Sequence, residues 1–320
     1  MHIIKSLLPV TTLLVFSNSI AAQDTTKTAE NSENLMNQLE TQEAKAETRY
    51  ATATFKYTHV INGQSVESLP AHVLDVRILH RFGPISSGLY NFFGLDYSPF
   101  NVKVGFDYGI SNNFMIGAAH SGYNKTYDAF FKWRILRQST GVHNAPISIS
   151  FVPTVAISTL KPEQIDPAVK PLATEIRRAS YVLQILMARK FSEGFAMQLM
   201  PTFVHSDNIS FFHTNPDVFA IGLAARQRLS KRVNVNAEYY YQLPDMKASG
   251  SHNVLSFGID IGTGGHVFEL LFSNSYGLTE KQFITETSGK WDGGDALFGF
   301  NISRVFQLGK KHKNKNWEQQ

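Results

Sequence analysis

The fold is decided by stretches that alternate between apolar and polar residues, such as residues 126–137, TYDAFFKWRILR. One face of this stretch is apolar and consists of Tyr127, Ala129, Phe131, Trp133 and Ile135. The opposite face carries the charged residues Asp128, Lys132 and Arg134. Because successive side chains of a β-strand point to opposite faces, this period of two predicts a strand with one apolar and one polar face.

Runs of the same kind recur along the chain, and about twelve of them approach the roughly 9–11 residues that a tilted strand needs to cross a bilayer. They are residues 73–82, 102–110, 113–123, 126–137, 146–159, 178–190, 195–205, 217–229, 233–242, 253–262, 266–275 and 297–308. No convincing helical period separates these runs, which argues against βαβ units and a parallel sheet. The sequence therefore predicts an all-β fold, an antiparallel transmembrane β-barrel of about twelve strands.

Alternation alone does not say whether the apolar faces meet lipid or a soluble core, so a large periplasmic β-sandwich stays open as an alternative. Three patterns favour the membrane. The strands are too many and too long for a soluble barrel that holds one ligand. The polar faces mix small polar residues with both signs of charge, and aromatic residues fall near the ends of runs, where aromatic girdles form.

The connections between the runs alternate in length, as extracellular loops and periplasmic turns do. The long ones are residues 83–101, 160–177, 206–216, 243–252 and 276–296. Two connections depart from the rule, since 124–125 is short and 138–145 is long. An even number of strands places both chain ends in the periplasm.

The ends of the chain predict the remaining organisation. Residues 1–22 have the charged, apolar and small-residue parts of a secretory signal peptide, and residues 23–51 are expected to be a flexible polar leader. The barrel is predicted over 73–308, followed by a basic tail at 309–320. The segment from Thr52 to Ile61 also alternates, but a thirteenth strand would invert the loop assignment. We therefore expect residues 52–72 outside the barrel wall, near or inside the periplasmic mouth.

Composition excludes several classes of chemistry. The 320 residues include no cysteine, which excludes disulfides, thiolate metal sites and a cysteine nucleophile. A net charge of +4 is weak support for nucleic-acid binding, and no nucleic-acid partner is expected. A mean hydropathy of -0.16 excludes a bundle of transmembrane helices but not a barrel, whose strands are half polar.

Metal and catalytic sites are not predicted either. The 11 histidines form no His-Glu-x-x-His motif, and His205, Asp207 and His213 around one long loop are too sparse for a metal site. A barrel phospholipase, the enzyme of comparable size, has a His-x-Ser pair on one strand, and this chain has none. His120 and Ser121 are adjacent and would face opposite ways. We expect no cofactor and no enzymatic activity, with a lipid-acting barrel enzyme as the alternative.

Charged residues on the polar faces are the best functional lead, because in a barrel they line the lumen. The candidate lumen-lining residues are Asp75, Arg77, Arg81, Lys103, Asp107, Asp128, Lys132, Arg134, Arg226, Glu238 and Glu269. Two functions remain open: a narrow pore for small polar solutes, or a structural barrel whose lumen is filled by mutually neutralising charges. The presence of both signs argues against strong ion selectivity.

Several motifs together resemble an uncharacterised family of outer-membrane β-barrel proteins from Bacteroidota, a domain of unknown function. They are INGQSVE at 61–67, LDVRILHRFG at 74–83, FGLD at 93–96, YDAFFK at 127–132 with Arg137-Gln138, and NAEYY at 236–240. The resemblance spans about residues 54–308 and implies an outer-membrane barrel, with no activity and no functional residue attached. Such a barrel is expected to contact outer-membrane lipids and the barrel-assembly machinery. The sequence does not determine the oligomeric state.

The face assignment leads to a test by substitution. Phe131→Arg or Leu270→Arg should block membrane insertion, because a lipid-facing arginine at mid-bilayer costs about 2–4 kcal/mol. Lys132→Ala, on the opposite face, should leave insertion intact. Membrane fractionation after carbonate washing measures both, and equal behaviour of the two kinds of variant would show that the faces are wrongly assigned.

Overall fold

The computed structural model describes residues 31–40, 47–97, 101–161, 178–206, 216–247 and 250–309. The predicted signal peptide, most of the predicted leader and nearly all of the basic tail lie outside these residues. The chain divides into two units, residues 1–47 and 48–320. In the first unit, residues 31–40 form a helix in which every residue is exposed.

Twelve strands form one closed antiparallel barrel in which each strand pairs with its neighbours along the chain and the last pairs with the first. They are β1 (Val73–Pro84), β2 (Asn101–Gly109), β3 (Phe114–Ser121), β4 (Thr126–Leu136), β5 (Ser148–Ser158), β6 (Ala179–Lys190), β7 (Phe195–Ser206), β8 (Asp217–Arg228), β9 (Val233–Gln242), β10 (Val254–Thr263), β11 (His266–Ser273) and β12 (Leu297–Gln307). Each predicted run lies within two residues of its strand at both ends. The predicted fold class is therefore confirmed.

Burial on the two faces of the wall is the reverse of that in a soluble barrel. Apolar residues of the outer face are exposed, among them Phe106, Phe131, Ile185, Leu223 and Leu270. Charged residues of the inner face are buried, with Arg81, Asp107 and Lys132 each 0% exposed. A continuous apolar outer surface is stable only against lipid, because water would not tolerate a patch of this size.

The shorter elements lie in the connections. Three-residue 3-10 turns occur at Ile85–Ser87, Tyr123–Lys125 and Pro244–Met246, and a longer one at Leu89–Gly94. An α-helix, α1 in the barrel unit, covers Glu280–Thr285 between β11 and β12. No helix in the described part of the chain is long and apolar enough to span a bilayer.

The two connections of unexpected length have structural explanations. The short one between β3 and β4 closes through the 3-10 turn Tyr123–Lys125. The long one between β4 and β5 contains Ser139–Thr140, which pairs antiparallel with Arg49–Tyr50 as a separate two-stranded sheet. This sheet holds the chain where it enters the barrel, and we call that end the entry end. Its location in the periplasm stays a prediction.

Close packing across the inner face generates a stability prediction. A Cβ added at Gly117 would lie 2.2 Å from the ring of Phe130 and 2.5 Å from Oδ1 of Asp107. Gly117→Ala should lower the free energy of unfolding by about 1–3 kcal/mol, because a side chain in a packed core must then shift. Urea unfolding in detergent micelles, followed by tryptophan fluorescence, measures the change. The control is Gly122→Ala, where the nearest atom is 3.6 Å away, and an equal loss there would contradict the packing argument.

Candidate functional site: the filled lumen

Residues 54–69 lie inside the barrel, and we call them the N-terminal plug. Their centre is a tight hairpin in which His59 pairs with Gln64. The Val60 amide donates to the carbonyl of Gly63 at 2.9 Å, and the Ser65 amide donates to that of Thr58 at 2.9 Å. The segment that alternates like a strand in the sequence is therefore not part of the wall, and its backbone pairs with itself inside the lumen.

The tip of this hairpin surrounds the carboxylate of Glu238, which projects inward from β9. The amides of Ile61, Asn62 and Gly63 donate to it at 3.2, 3.2 and 3.0 Å. The Asn62 side-chain amide donates to the same carboxylate at 3.1 Å and to Ser256 at 2.8 Å. Three successive backbone N–H groups converging on one carboxylate form an anion-binding nest, and Glu238 is 1% exposed.

A lysine holds the other end of the hairpin. Nζ of Lys132, on β4, donates to the carbonyls of Thr58, Ser65 and Glu67 at 2.9, 3.0 and 3.0 Å. An ammonium group has three protons to donate, so these contacts use its whole donor capacity. Because Thr58 and Ser65 lie on opposite arms, Lys132 also holds the two arms together.

Two further wall residues bind the plug through its backbone or its tip. Gln198, on β7, accepts from the Val66 amide at 2.7 Å and donates to the carbonyl of Gln64 at 2.8 Å. Arg81, on β1, donates to the side-chain oxygen of Asn62 at 2.9 Å. The plug is therefore bound to strands on several sides of the barrel, since its contacts include β1, β4, β7 and β9.

Apolar packing adds to these polar contacts. Five apolar plug residues belong to a buried cluster within the barrel: Phe55, Val60, Ile61, Val66 and Leu69. The wall contributes to the same cluster through the inner faces of β5 to β8, with Val152, Val182, Leu186, Met200, Val204, Val218, Ala220 and Ala224. One side of the lumen is therefore apolar, although the sequence indicated a polar lumen throughout. This cluster is a hydrophobic core inside the barrel.

A second insertion, the loop plug (residues 274–287), enters from the opposite end between β11 and β12. Every residue of α1 is buried, and the side-chain oxygen of Gln282 accepts from the amides of Leu278 and Thr279 at 3.3 Å each. Lys103 donates to the carbonyl of Leu278 at 3.1 Å, and the ring of Phe283 lies 5.4 Å from that of Tyr240.

The two plugs meet within the lumen, where Gln64 donates to Glu280 at 3.4 Å. At the loop-plug end, the rings of Tyr123 and Tyr276 meet edge to face at 5.4 Å. Burial raises the pKa of each of these phenols to about 12, so both are neutral at physiological pH.

The predicted lumen-lining residues all face the interior. Ten of them are buried and Arg134 is half-buried. The structure brings them together as pairs rather than as one cluster. Arg77 lies 3.0 Å from Asp107, Lys103 lies 2.8 Å from Asp128, and Arg134 lies 3.6 Å from Glu67 of the N-terminal plug.

The remaining candidates have different partners. Asp75 accepts from Ser303 at 2.5 Å, and Glu269 accepts from Asn301 at 2.5 Å. Glu238, Lys132 and Arg81 bind the N-terminal plug, as described above. Arg226 makes no ion pair within 4.0 Å in the described part of the chain.

Sequence reasoning placed residues 52–72 near or inside the periplasmic mouth, but it did not identify the partners of the plug on the wall, Gln198, Asn301 and Ser256. Uncharged side chains on a strand give no local sign that they bind another segment. One signal was available, since Asn62-Gly63 after an alternating run is a turn sequence that indicates a hairpin.

The histidine, aspartate and serine residues considered as metal ligands or catalytic groups do not come together as a site in the described part of the chain. His205 is hydrogen-bonded to Asp217 at 2.6 Å, while Asp207 and His213 lie outside the described residues. Within the described ranges, no three His, Asp or Glu side chains converge as a metal site would require. Ser121 is 0% exposed on the inner face, and the ring of its neighbour His120 packs at a tilt against that of Tyr127 on the outer face, with centroids 4.5 Å apart.

One small cavity adjoins the N-terminal plug. A cavity of about 40 Å³ lies between the plug and the wall, with Tyr57, His59, Arg77, Glu269 and Asn301 in its lining. This volume accommodates a few water molecules, since each needs at least about 10–15 Å³ by this measure.

A family model for a membrane-bound beta barrel domain of unknown function (DUF5777) matches residues 55–306. The chain belongs to this family. The match begins within the N-terminal plug, so the family domain includes both the plug and the wall. The family resemblance inferred from the motifs is confirmed, whereas an origin in Bacteroidota stays a prediction. The chain is a membrane-bound β-barrel, and its outer face is in contact with membrane lipids.

Solved structures give weaker likenesses. The NanC porin is 8% identical, with a TM-score of 0.46 over 74% of this chain and 100% of that chain. The KdgM porin is 7% identical, with a TM-score of 0.46 over 73% and 99%. Omp33 of Acinetobacter baumannii is 9% identical, with a TM-score of 0.40 over 73% and 98%. No curated protein matches the chain significantly.

The nest around Glu238 generates a prediction that exploits the lack of native cysteine. Val60 is 3% exposed, so a Val60→Cys variant should react slowly with a soluble maleimide. Adding Glu238→Ala should raise the labelling rate about tenfold or more, because each buried donor left without an acceptor costs about 1–3 kcal/mol and the plug opens more often.

The matched control is Glu193→Ala in the same Val60→Cys background. Glu193 is a carboxylate in an exposed turn at the entry end, with its side chain 81% exposed. Its removal should leave the labelling rate unchanged. Equal rates in the Glu238 and Glu193 variants would show that Glu238 does not hold the plug.

Proposed function

We propose that this chain is an outer-membrane barrel that is closed at rest and passes small polar solutes only when its N-terminal plug has left the lumen. One observation supports the closed state above the others: the buried carboxylate of Glu238 is enclosed by the three amides at the hairpin tip. Such contacts bind a segment in one place, so an open aqueous path at rest is not expected.

The nature of the solute follows from what the plug covers. Withdrawal of the plug would expose Lys132, Glu238, Arg81 and Gln198 on the wall. Charges of both signs favour small polar solutes with little preference between anions and cations. The apolar inner faces of β5 to β8 would form the opposite wall.

Conductance in planar bilayers tests this proposal. The full-length mature protein should show no channel steps, because both plugs occupy the lumen. A variant that lacks residues 23–69 and has residues 278–287 replaced by a short Gly-Ser linker should show steps, because the wall closes through its own strand pairing. Circular dichroism of the purified variant controls for folding.

Each outcome separates two alternatives. Steps from the full-length protein would overturn the closed resting state. A folded double variant without steps would favour a purely structural barrel over a passage. The variant that lacks only residues 23–69 shows whether the loop plug closes the lumen by itself.

The proposal has two further parts. The chain is not an enzyme, and the barrel-assembly machinery inserts it into the membrane. A lipid-acting enzyme, the second candidate, gains no support from His120 and Ser121, because these residues lie on opposite faces of β3. If the protein hydrolysed phospholipid vesicles and Ser121→Ala abolished this activity, the chain would be an enzyme after all. If depletion of the assembly machinery left the amount of folded barrel normal, the machinery would not be needed for insertion.

A further inference from the structure

Arg226 is a buried cation without a hydrogen-bonding partner among the residues that the structure describes. It projects inward from β8 near the entry end and is 2% exposed. Its Nε and Nη2 atoms are buried, and neither makes a hydrogen bond in the described part of the chain. A guanidinium group in this state is costly, since burial removes its water and no described side chain or carbonyl replaces the lost hydrogen bonds. Buried N–H groups of a cation that point into the protein are suited to hold a small anion.

Other cations lie close to it. Lys56 belongs to the N-terminal plug and lies over the inner face of β10, with Nζ 3.1 Å from the position of a Cβ on Gly262. It interacts electrostatically with both Arg226 and Arg228. Arg226 and Arg228 also repel each other. Arg228 is partly exposed, lies 3.9 Å from Glu193 and donates to the carbonyl of Ser230 at 3.2 Å. The plug and the wall therefore present two inward-facing cations at the entry end, Lys56 and Arg226, with Arg228 at their edge.

The neighbouring carboxylates are bound to other groups. Three acidic residues interact with Arg226 over longer distances: Glu67, Glu193 and Asp260. Glu67 accepts from the Thr54 amide at 2.7 Å and faces Arg134, and Glu193 pairs with Lys190 at 2.7 Å. Asp260 accepts from Asn236 at 2.7 Å. None of them is placed to neutralise Arg226 directly.

We propose that Arg226 and Lys56, with Arg228 at the edge, form a binding site for a small oxyanion, a phosphate or carboxylate group, between the wall and the N-terminal plug. A guanidinium group binds such anions through parallel N–H donors, and the two other cations add charge. The anion comes from solution and not from a lipid headgroup, because Arg226 faces the lumen of a closed wall. Since Lys56 is on the plug and Arg226 on the wall, the bound anion fastens the plug in place.

Calorimetric titration of the full-length protein in a neutral detergent with inorganic phosphate tests the site, with chloride adjusted to constant ionic strength. We expect saturable binding that Arg226→Gln weakens by about tenfold or more, because one charge-assisted contact is lost. Arg232→Gln should bind phosphate as the parent does, because Arg232 lies exposed in the turn between β8 and β9.

A second measurement keeps the proposal testable if Arg226→Gln does not fold. Lys56→Gln changes only the plug and should also weaken phosphate binding. In the Val60→Cys background, phosphate should slow maleimide labelling, and Lys56→Gln should remove this protection.

Two results would overturn the site: no saturable phosphate binding by the parent protein, or binding that neither Arg226→Gln nor Lys56→Gln changes. The result is independent of the conductance experiment, because an anion site is compatible with a passage and with a structural barrel.

Discussion

Closure of the strand ladder between β12 and β1 is the constraint on which the rest of the structure depends. Lipid offers no hydrogen bonds to backbone groups, so a sheet in a bilayer must return to its own first strand. Here Leu297–Gln307 pairs with Val73–Pro84 and completes the ring. Closure gives every strand one face toward lipid and one toward the interior, which explains why Phe131 is exposed while its neighbour Lys132 is buried.

The interior then has to satisfy the charges that closure places there. Arg77 pairs with a carboxylate on the neighbouring strand, and Lys103 pairs with one two strands away. Lys132 and Glu238 instead find the backbone of the N-terminal plug. The plug gains partners for its own buried amides and carbonyls in the same contacts. Wall and plug are therefore mutually dependent, and the lumen charges that suggested an open path are engaged in packing it closed.

Prediction from sequence succeeded where the determining interaction is local. Alternation over residues such as Val102 to Tyr108 reports directly on the two faces of a strand. Residues 52–61 alternate as a wall strand does, and the loop assignment, not the pattern, placed them outside the wall; their hairpin lies in the lumen. Prediction failed where identical patterns have different partners. Val182 and Leu186 face inward like Lys132, but they meet apolar plug residues, and nothing local to β6 indicates this.

The sequence by itself determined the class of fold, the strands within two residues, and which charged residues turn inward, because all three follow from a period of two and a bilayer's thickness. Only the tertiary structure decided that the lumen is filled. Ile61, Asn62 and Gly63 fit around Glu238, and Gly63 lies 175 positions from Glu238 in the sequence. Such a contact depends on the position of the strands around the ring, which no local pattern encodes.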